Sequence, residues 1–469
     1  MSAESSPLSY VSTRGQAPRL TFADTLLAGL ATDGGLYVPE SWPTLDRAAV
    51  DPHRPYADTA IEVMWPFVAG SIERADFESI VRDTYATFAH PDVTPLVPLE
   101  DGLWLLELFH GPTLAFKDVA LQLVGRLFDH ELERRGTRVT IVGATSGDTG
   151  SAAIEACRDR KSIDIVILHP RGRVSEVQRR QMTTVLSPNV HNVAIDGTFD
   201  DCQDLVKAMF NDAAFREEQH LSAVNSINWA RVMAQIVYYV VAADRLGGRG
   251  GPISFAVPTG NFGNVFAGYG ASRMGLDVRE FVVASNRNDI LTQFFTTGRM
   301  TIGDVHPTLS PSMDIQVSSN LERLLFELYD RDGRAIAELM ERFRRDGHVS
   351  IDDRHLAELR ERWAGARIDD EETTRIIADV HERTGMLVDP HTAVGIGAAR
   401  VCRRDRDVPM VALATAHPAK FPDAVERATG VRPPLPAHLA DLYDRTERVT
   451  ELPNDLAAVQ SFVRSVTSR

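Results

Sequence analysis

Short apolar runs rich in β-branched residues alternate with helical stretches from about Leu103 onwards. The first three runs are RVTIVGAT, SIDIVILHP and HNVAIDG, and the later ones are PISFAVPTG, REFVVASN and PMVALAT. Strands that are apolar on both faces and separated by helices are typical of parallel sheets covered by helices on each side. The sequence therefore predicts an α/β fold with two such units. Ligands are expected at the carboxyl ends of the strands, in the crevice between the units.

The predicted organisation has three parts. Residues 1–100 form a mainly helical N-terminal unit, residues 101–245 a small α/β domain, and residues 246–469 a large α/β domain. The large domain carries a helical, charge-rich insert at about residues 287–383. The segment IVYYVVAAD is too short to span a bilayer and predicts a buried helix instead.

Charge and cysteine content limit the possible partners and the compartment. The net charge of −15 and the absence of a long basic run disfavour nucleic-acid binding. The three cysteines have neither metal-like nor disulfide-like spacing, which fits a reducing cytoplasm. The N-terminal residues do not resemble a secretory signal. We therefore expect a cytoplasmic protein that binds neither nucleic acid nor membrane, although a locally positive site can still bind a small anion.

The loop GATSGDTGSAA follows the strand RVTIV and precedes a predicted helix. Its small residues let a ligand approach the backbone, and Thr145, Ser146 and Thr149 supply hydroxyl groups. Free amides at a helix start suit a carboxylate or a phosphate. An ordinary capped turn explains the same residues about equally well.

A second loop, PTGNFGN, stands in the equivalent place after the strand ISFAV. Gly260 and Gly263 permit tight turns, and Asn261 and Asn264 can cap or donate hydrogen bonds. A cradle of backbone amides here would suit a phosphate group. Taken alone, the loop fits an ordinary strand-to-helix turn; two such loops after parallel-type strands are stronger evidence.

Three further segments contain polar groups next to apolar stretches. In VNSINWARV, Asn228 and Arg231 would share one face of a helix, where Arg231 either binds an anion or pairs with one of the many acids. In ATAHPAKF, Thr415 and His417 end a strand, and a single histidine of this kind is more often structural than catalytic. The small residues of DPHTAVGIGAAR predict a closely packed helix.

The segment FHGPTLAFKDVALQ places one lysine, Lys117, between an apolar tract and a predicted helix. By itself the segment favours a surface lysine with its stem on apolar residues. The alternative is a buried, reactive amine. No HExxH motif, CxxC pair or carboxylate cluster indicates a metal, and no GxSxG motif indicates a serine hydrolase. A lysine, a phosphate cradle and a second anion loop together suit covalently held pyridoxal phosphate.

Five motifs resemble, in this order, those of the threonine synthase family: FHGPTLAFKD, TSGDTGSAA, NSINWARV, PTGNFGN and TAHPAKF. More broadly, they are similar to the fold-type II pyridoxal-phosphate enzymes, the tryptophan synthase β family. The N-terminal YVSTRG and ATDGGLYVPE and the long insert also resemble the threonine synthases, so the resemblance runs nearly end to end. It implies two three-layer α/β units, an N-terminal unit and a helical insert.

The resemblance also implies a role for each matching residue, and no metal. Lys117 would be the catalytic residue that binds the cofactor aldehyde, and Thr415 would hydrogen-bond the pyridine nitrogen. The cofactor phosphate would lie on Gly260, Asn261, Phe262, Gly263 and Asn264. The substrate carboxylate would bind Thr145, Ser146, the Asp148 backbone and Thr149, and the substrate phosphate would bind Asn225, Ser226 and Arg231.

The implied reaction converts O-phospho-L-homoserine and water to L-threonine and phosphate, by γ-elimination and β-addition of water. It is the last step of threonine biosynthesis. A phospho-lyase or dehydratase on the same scaffold would give 2-oxobutyrate instead. A non-catalytic ligand sensor is the alternative of a different class, and the intact lysine, phosphate loop and Thr415 argue against it. The resemblance is compatible with either a monomer or a homodimer.

Overall fold

The computed structural model of the chain describes residues 7–46, 51–145, 147–223, 225–247 and 251–467. Ser146, which belongs to the predicted carboxylate loop, lies outside these residues. The chain divides into two compact units. Unit 1 comprises Met1–Tyr85, His90–His110 and Ser226–Pro433, and unit 2 comprises Ala86–Ala89, Gly111–Asn225 and Pro434–Arg469.

The strands of the described residues are short, as is usual in α/β proteins. In chain order they are β1 (Tyr10–Ser12), β2 (Tyr37–Pro39), β3 (Leu96–Glu100), β4 (Leu103–Glu107), β5 (Val139–Ala144), β6 (Ile163–Pro170), β7 (Val190–Asp196), β8 (Leu221–Ser222), β9 (Ile253–Pro258), β10 (Val278–Ser285), β11 (Arg299–Thr301), β12 (His348–Ser350), β13 (Trp363–Arg367), β14 (Met410–Ala414) and β15 (Thr450–Pro453).

The helices lie between these strands. They are α1 (Phe22–Ala28), α2 (Tyr56–Val68), α3 (Arg74–Tyr85), α4 (Lys117–Arg135), α5 (Asp148–Cys157), α6 (Glu176–Thr183), α7 (Phe199–Asn211), α8 (Ala213–Glu218), α9 (Trp229–Arg245), α10 (Gly263–Arg273), α11 (Ile290–Thr297), α12 (Leu321–Leu328), α13 (Gly333–Asp346), α14 (Asp353–Arg362), α15 (Asp370–Thr384), α16 (Pro390–Cys402), α17 (Pro422–Thr429) and α18 (Leu456–Thr467).

Unit 2 contains a five-stranded parallel sheet in the order β15-β7-β6-β5-β8. The predicted runs RVTIVGAT, SIDIVILHP and HNVAIDG form β5, β6 and β7. Every residue of β6 is buried, as expected for a central strand covered on both faces. On one face, Val166 and Leu168 pack in a core that includes Val459 and Val463 of α18. The predicted parallel sheet is confirmed.

Unit 1 contains a six-stranded sheet in the order β13-β10-β9-β14-β4-β3, in which the β3–β4 pair is antiparallel and the other pairs are parallel. The predicted runs PISFAVPTG, REFVVASN and PMVALAT form β9, β10 and β14. Because β9, β14 and β4 are parallel neighbours, the residues that follow them reach the same edge of the sheet. Those residues are the 259–264 loop, Thr415 and Phe109.

Two predicted helices of unit 1 have the expected packing. Every residue of α9 except Arg245 is buried, so the segment IVYYVVAAD lies in the protein core. In α16, a Cβ on Gly397 would lie 2.6 Å from Ile376 Cδ1, which explains the small residues of DPHTAVGIGAAR. Among the described residues, none of the helices combines the length and hydropathy of a membrane-spanning segment.

The insert at residues 287–383 is largely helical, as predicted, but it also supplies a strand of the main sheet. Strand β13 pairs in parallel with β10, with Phe281 opposite Trp363. The Trp363 ring stacks on Phe281 at a centroid distance of 4.7 Å. The sequence WAGAR has no β-branched residue, so tertiary packing rather than local propensity selects the strand here.

The compact units are discontinuous in sequence. Residues 434–469 belong to the same unit as residues 111–225, and residues 226–433 to the same unit as most of the first 110 residues. The domain boundaries at residues 100 and 245 stay predictions, because a unit defined by contacts need not coincide with a domain.

Candidate active site

Lys117 is the first residue of α4 in unit 2. Its side chain is 10% exposed, and its Nζ lies 3.3 Å from Oδ2 of Asp148. The same Nζ lies 5.5 Å from the centroid of the Phe116 ring. The lysine is therefore not a surface residue whose ammonium reaches water. It is an enclosed amine with a carboxylate close to its protons.

The turn before Lys117 is held by the side chain of Asp118, a residue that the sequence reasoning missed. Asp118 is fully buried and accepts hydrogen bonds from Thr113 N (2.7 Å) and Thr113 Oγ1 (2.8 Å). Gln181 of α6 donates to Thr113 O at 3.1 Å. A Cβ on Gly111 would lie 2.4 Å from Asp118 Cβ, so the turn requires glycine there. The motif GPTLAFKD thus encodes a rigid turn that sets where Lys117 begins its helix.

Asp148 lies between two donors. Its Oδ2 contacts Lys117, and its Oδ1 accepts a hydrogen bond of 2.8 Å from Gln178 Nε2. The sequence reasoning gave a role only to the Asp148 backbone and gave none to Gln178. An acid in the first turn of a helix is a common feature, so the sequence carried no special signal for this pairing.

The carboxylate loop is braced by Thr145. Its hydroxyl oxygen accepts hydrogen bonds from Gly147 N (3.0 Å) and Gly150 N (2.9 Å). Gly147 has a φ of 151°, a conformation that glycine adopts readily and other residues do not. The Thr149 hydroxyl is half-buried and makes no hydrogen bond to another described residue. The substrate contact assigned to Thr145 stays a prediction; in the structure its hydroxyl shapes the loop.

The helix start in this loop leaves the amide of Thr149 outside the helical hydrogen-bond pattern. The first backbone hydrogen bond of α5 runs from Ser151 N to Gly147 O at 3.1 Å. The amide of Thr149 precedes it. Amides at this position favour an anion, as the sequence suggested.

The phosphate-loop sequence PTGNFGN connects β9 to α10 in unit 1. Phe262 has a φ of 64°, and its buried ring stacks on Trp363 at 5.6 Å. The first hydrogen bond of α10 runs from Phe266 N to Phe262 O at 2.9 Å, so the amides of Gly263 and Asn264 precede it. The Phe262 ring therefore anchors the loop in the core, and the backbone amides are the groups suited to an anion.

Asn264 supplies a second kind of donor. Its Oδ1 accepts hydrogen bonds from Tyr238 OH (2.5 Å) and Tyr239 OH (2.9 Å). Its Nδ2 is buried and has no hydrogen-bond partner within the described ranges of the chain. A buried amide nitrogen without a partner is costly, so it indicates a position that a ligand acceptor satisfies.

Thr415 directly follows β14 at the edge shared with the phosphate loop. It is 6% exposed, and its hydroxyl makes no hydrogen bond within the described part of the chain. His417, two residues on, accepts a hydrogen bond from Ala419 N at 3.1 Å and its ring contacts Phe109 at 5.3 Å. These contacts support the structural interpretation of His417.

The three residues predicted to bind the substrate phosphate have different surroundings. Arg231 in α9 is 4% exposed, and its Nε and Nη1 have no hydrogen-bond partner among the described residues. Desolvation lowers the pKa of Arg231 to about 10. Ser226 is half-buried, and Asn225 is exposed and is the last residue of its segment of unit 2. Asn228, which the sequence placed on the same face as Arg231, instead caps α9 by accepting from Ala230 N at 3.0 Å.

Comparison with known proteins identifies the family of the chain. The sequence is 59% identical to the threonine synthase of Pseudomonas aeruginosa over 457 residues, which cover 97% of this chain and 97% of that protein. This chain belongs to the threonine synthase family. Three family descriptions match it: Threonine synthase N terminus at residues 9–85, Pyridoxal-phosphate dependent enzyme at 88–342, and Threonine synthase, C-terminal at 392–463.

Solved structures agree with this family. The crystal structure of PLP-bound threonine synthase from Brucella melitensis has a TM-score of 0.96 at 51% identity, covering 98% of this chain and 100% of that chain. Threonine synthase from yeast has a TM-score of 0.94 at 37% identity, with 99% of both chains covered. The predicted fold-type II architecture and the predicted cofactor, pyridoxal phosphate, are confirmed. The chain is a pyridoxal-phosphate dependent lyase of this family.

The side chains described above fit this cofactor. A phosphate needs several donors, and the phosphate loop offers unpaired amides together with the orphaned Nδ2 of Asn264. A pyridine nitrogen needs one hydrogen-bonding group. The hydroxyl of Thr415, which makes no hydrogen bond within the described part of the chain, can supply it. An aldehyde needs an amine protected from water, and Lys117 is buried.

Proposed function

We propose that the protein is a threonine synthase that converts O-phospho-L-homoserine and water to L-threonine and phosphate. The observation that carries this proposal is the buried guanidinium of Arg231, whose Nε and Nη1 have no hydrogen-bond partner in the part of the chain that the structure describes. An unpaired buried charge is strongly unfavourable, so its presence favours an anionic ligand at this position. The cofactor phosphate has a separate loop of its own. A second phosphate-bearing molecule is therefore the best match for Arg231.

The proposed cofactor contacts are those predicted from the motifs. Lys117 binds the aldehyde covalently, and Thr415 bonds the ring nitrogen. Gly260, Asn261, Phe262 and Gly263 offer backbone amides to the cofactor phosphate, and Asn264 adds its side-chain nitrogen. When bound, pyridoxal phosphate takes up the negative charge that develops on the substrate carbons.

The proposed substrate contacts hold the two ends of the molecule. The amides of Asp148 and Thr149, with the hydroxyls of Ser146 and Thr149 and with Thr145 nearby, bind the carboxylate. Arg231, with Asn225 and Ser226, binds the phosphate. Fixing both ends orients the bond that breaks and keeps the reacting carbons near the lysine amine.

Lys117 is also the proposed acid and base. The neutral amine can take the proton from the substrate α-carbon and return a proton later in the reaction. Asp148, at 3.3 Å from Nζ, is placed to hold the ammonium form between these transfers.

The test is an assay of the purified protein with O-phospho-L-homoserine, in which phosphate and threonine are both measured. Equal amounts of the two products support the proposal. Phosphate with 2-oxobutyrate and little threonine would instead support a phospho-lyase or dehydratase on the same scaffold. No turnover, with ligand binding retained, would support a sensor.

Three further predictions remain proposals of the same kind. The protein acts in the cytoplasm, which the free state of Cys157, Cys202 and Cys402 supports. It works as a monomer or a homodimer and needs neither nucleic acid nor a membrane. Its domains divide near residues 100 and 245, with the insert at about 287–383.

A further inference from the structure

A segment of the insert, Ser318–Arg323, holds the carbonyl oxygens of the phosphate loop within unit 1. Ser318 Oγ donates a hydrogen bond to Gly260 O at 2.7 Å. Asn320 donates twice to Asn261 O, from its backbone N at 3.1 Å and from its Nδ2 at 2.9 Å. Two successive carbonyls of the loop are thus bound by this segment, which sequence reasoning did not associate with the site.

Asn320 also reaches the residues before α9. Its Nδ2 lies 3.2 Å from Ser226 O, and its side chain is fully buried. Arg323 donates one hydrogen bond to Asn320 Oδ1 and another, of 2.6 Å, to Ile227 O. The Asn320 amide is therefore fixed at both ends, with its nitrogen shared between the phosphate loop and the Ser226 segment.

Ordinary helix capping does not explain this side chain. Asn320 is the residue before α12, where asparagine commonly accepts a hydrogen bond from the helix backbone. Here its side chain makes no such bond, and its oxygen is bound by Arg323 instead. The side chain is directed entirely to other segments.

The contacts have a clear electrostatic consequence. Carbonyl oxygens would repel a phosphate, whereas backbone amides attract it. With the oxygens of Gly260 and Asn261 bound by Ser318 and Asn320, the loop cannot rotate these oxygens towards the ligand without breaking hydrogen bonds. The same amide fixes the backbone that leads into α9 and Arg231.

We propose that Asn320 is a positioning residue that holds the cofactor-phosphate loop and the Ser226–Arg231 segment in one arrangement. Through its bonds to Asn261 O and Ser226 O, it sets how the two anion sites are placed relative to each other. The second half of this inference rests on the proposed function, because it takes Arg231 as the site of the substrate phosphate. The first half concerns only the cofactor.

The experiment measures the dissociation constants of the apoenzyme for pyridoxal phosphate and for pyridoxal, which lacks the phosphate. Asn320→Asp keeps the shape of the side chain and replaces its donor with an acceptor that faces two carbonyls. It should lower the preference for the phosphorylated cofactor about tenfold, the loss expected for about two neutral hydrogen bonds. The dissociation constant for pyridoxal should change less than twofold. General loss of structure would instead weaken the binding of both ligands.

Ser319→Ala is the matched control, because the Ser319 hydroxyl lies beside Asn320 and makes only a long contact of 3.5 Å to Asn261 Oδ1. It should leave the preference unchanged. If circular dichroism shows that Asn320→Asp does not fold, Ser318→Ala supplies the test, because it removes only the hydrogen bond to Gly260 O. We expect about a threefold loss of preference for the phosphorylated cofactor. A preference equal to that of the wild type in the folded variant overturns the proposal.

A second measurement separates the two parts of the inference. In the cofactor-saturated enzyme, Asn320→Asp should raise KM for O-phospho-L-homoserine more than it lowers kcat, because substrate-phosphate placement is disturbed. A normal KM would overturn the link to the Arg231 segment. If the wild type makes no threonine at all, the proposed function fails, while the cofactor titration still decides the role of Asn320.

Discussion

The ammonium of Lys117 and the carboxylate of Asp148 meet at 3.3 Å, with both side chains at most 10% exposed. The two residues are each the first of a helix, in α4 and α5. Lys117 is fixed by the Asp118 turn, and Asp148 by Gln178. The pair therefore depends on two rigid supports. Its removal should change the stability of the protein without cofactor by a measurable amount.

Asp148→Asn should destabilise the apoenzyme by about 3 kcal/mol, because the buried ammonium loses its counter-charge. The measurement is urea unfolding of the apoenzyme at neutral pH. Glu155→Gln on the same helix is the control: Glu155 pairs with the half-exposed Arg158 at 3.2 Å, and its loss should cost less than about 1 kcal/mol. Equal effects of the two changes would contradict a special role for the Lys117–Asp148 pair.

Lys117→Ala should leave the fold intact and reduce threonine formation by at least about 1,000-fold, because the only amine proposed to move protons is gone. Far-ultraviolet circular dichroism checks the fold, and a threonine assay checks the activity. Lys207→Ala removes an exposed lysine paired with Asp204 and should retain full activity. The absorbance band of the covalent linkage between the cofactor and the lysine should be absent in the first variant only. A Lys117→Ala protein with more than about a tenth of the activity would exclude this role.

Arg231→Met should stabilise the protein by about 1–3 kcal/mol while raising KM for the phosphorylated substrate, because the unpaired buried charge is replaced by an apolar side chain of similar length. With the cofactor bound, inorganic phosphate should raise Tm of the wild type and not that of the variant. Arg273→Met is the control, since the Arg273 side chain is 50% exposed. Loss of stability in Arg231→Met would show that the guanidinium has a structural partner.

Acid should weaken the N-terminal segment through Asp33 of the TDGG turn. Burial alone would raise the pKa of Asp33, but hydrogen bonds from Ser12 Oγ and three backbone amides outweigh it and lower the pKa. A carboxyl with a lowered pKa contributes stability above its unfolded pKa of about 4, and that stability is lost as pH falls through the folded value. Asp33→Asn should therefore cost about 1 kcal/mol at pH 7 and almost nothing at pH 3.

The measurement is urea unfolding of both proteins across this pH range. Asp83→Asn, at an exposed position of α3, should show no such pH-dependent difference. A difference between wild type and Asp33→Asn that persists at pH 3 would show that the carboxylate charge is not the cause.

The sequence predicted the features whose signals are local. The apolar runs identified β5, β6, β7, β9, β10 and β14, because strands buried on both faces need continuous hydrophobic residues. The two Gly-rich loops were likewise visible, because their backbone conformations require small residues. The enclosure of Lys117 was not visible from its own segment, and it took the ordered motifs to favour a reactive amine.

The supporting residues were missed because their partners are distant in sequence. Gln178 reaches Asp148 across thirty positions, and Asn320 reaches Ser226 across ninety-four. No local pattern distinguishes a buried amide that holds a loop from a solvent-exposed one. Strand β13 was missed for a related reason: WAGAR is a strand through its pairing with β10, where Trp363 stacks on Phe281.

The last strand and helix of unit 2 have a consequence for synthesis of the protein on the ribosome. Strand β15 pairs with β7, and α18 completes the core beside it, yet both are translated only after residues 226–433. The sheet of unit 2 thus keeps an open edge at β7, a site prone to wrong pairing, while the whole of that middle segment emerges. A ribosome that stalls within α16 leaves a nascent chain in which β5 to β8 are already made and β15, the strand that pairs with β7, is not.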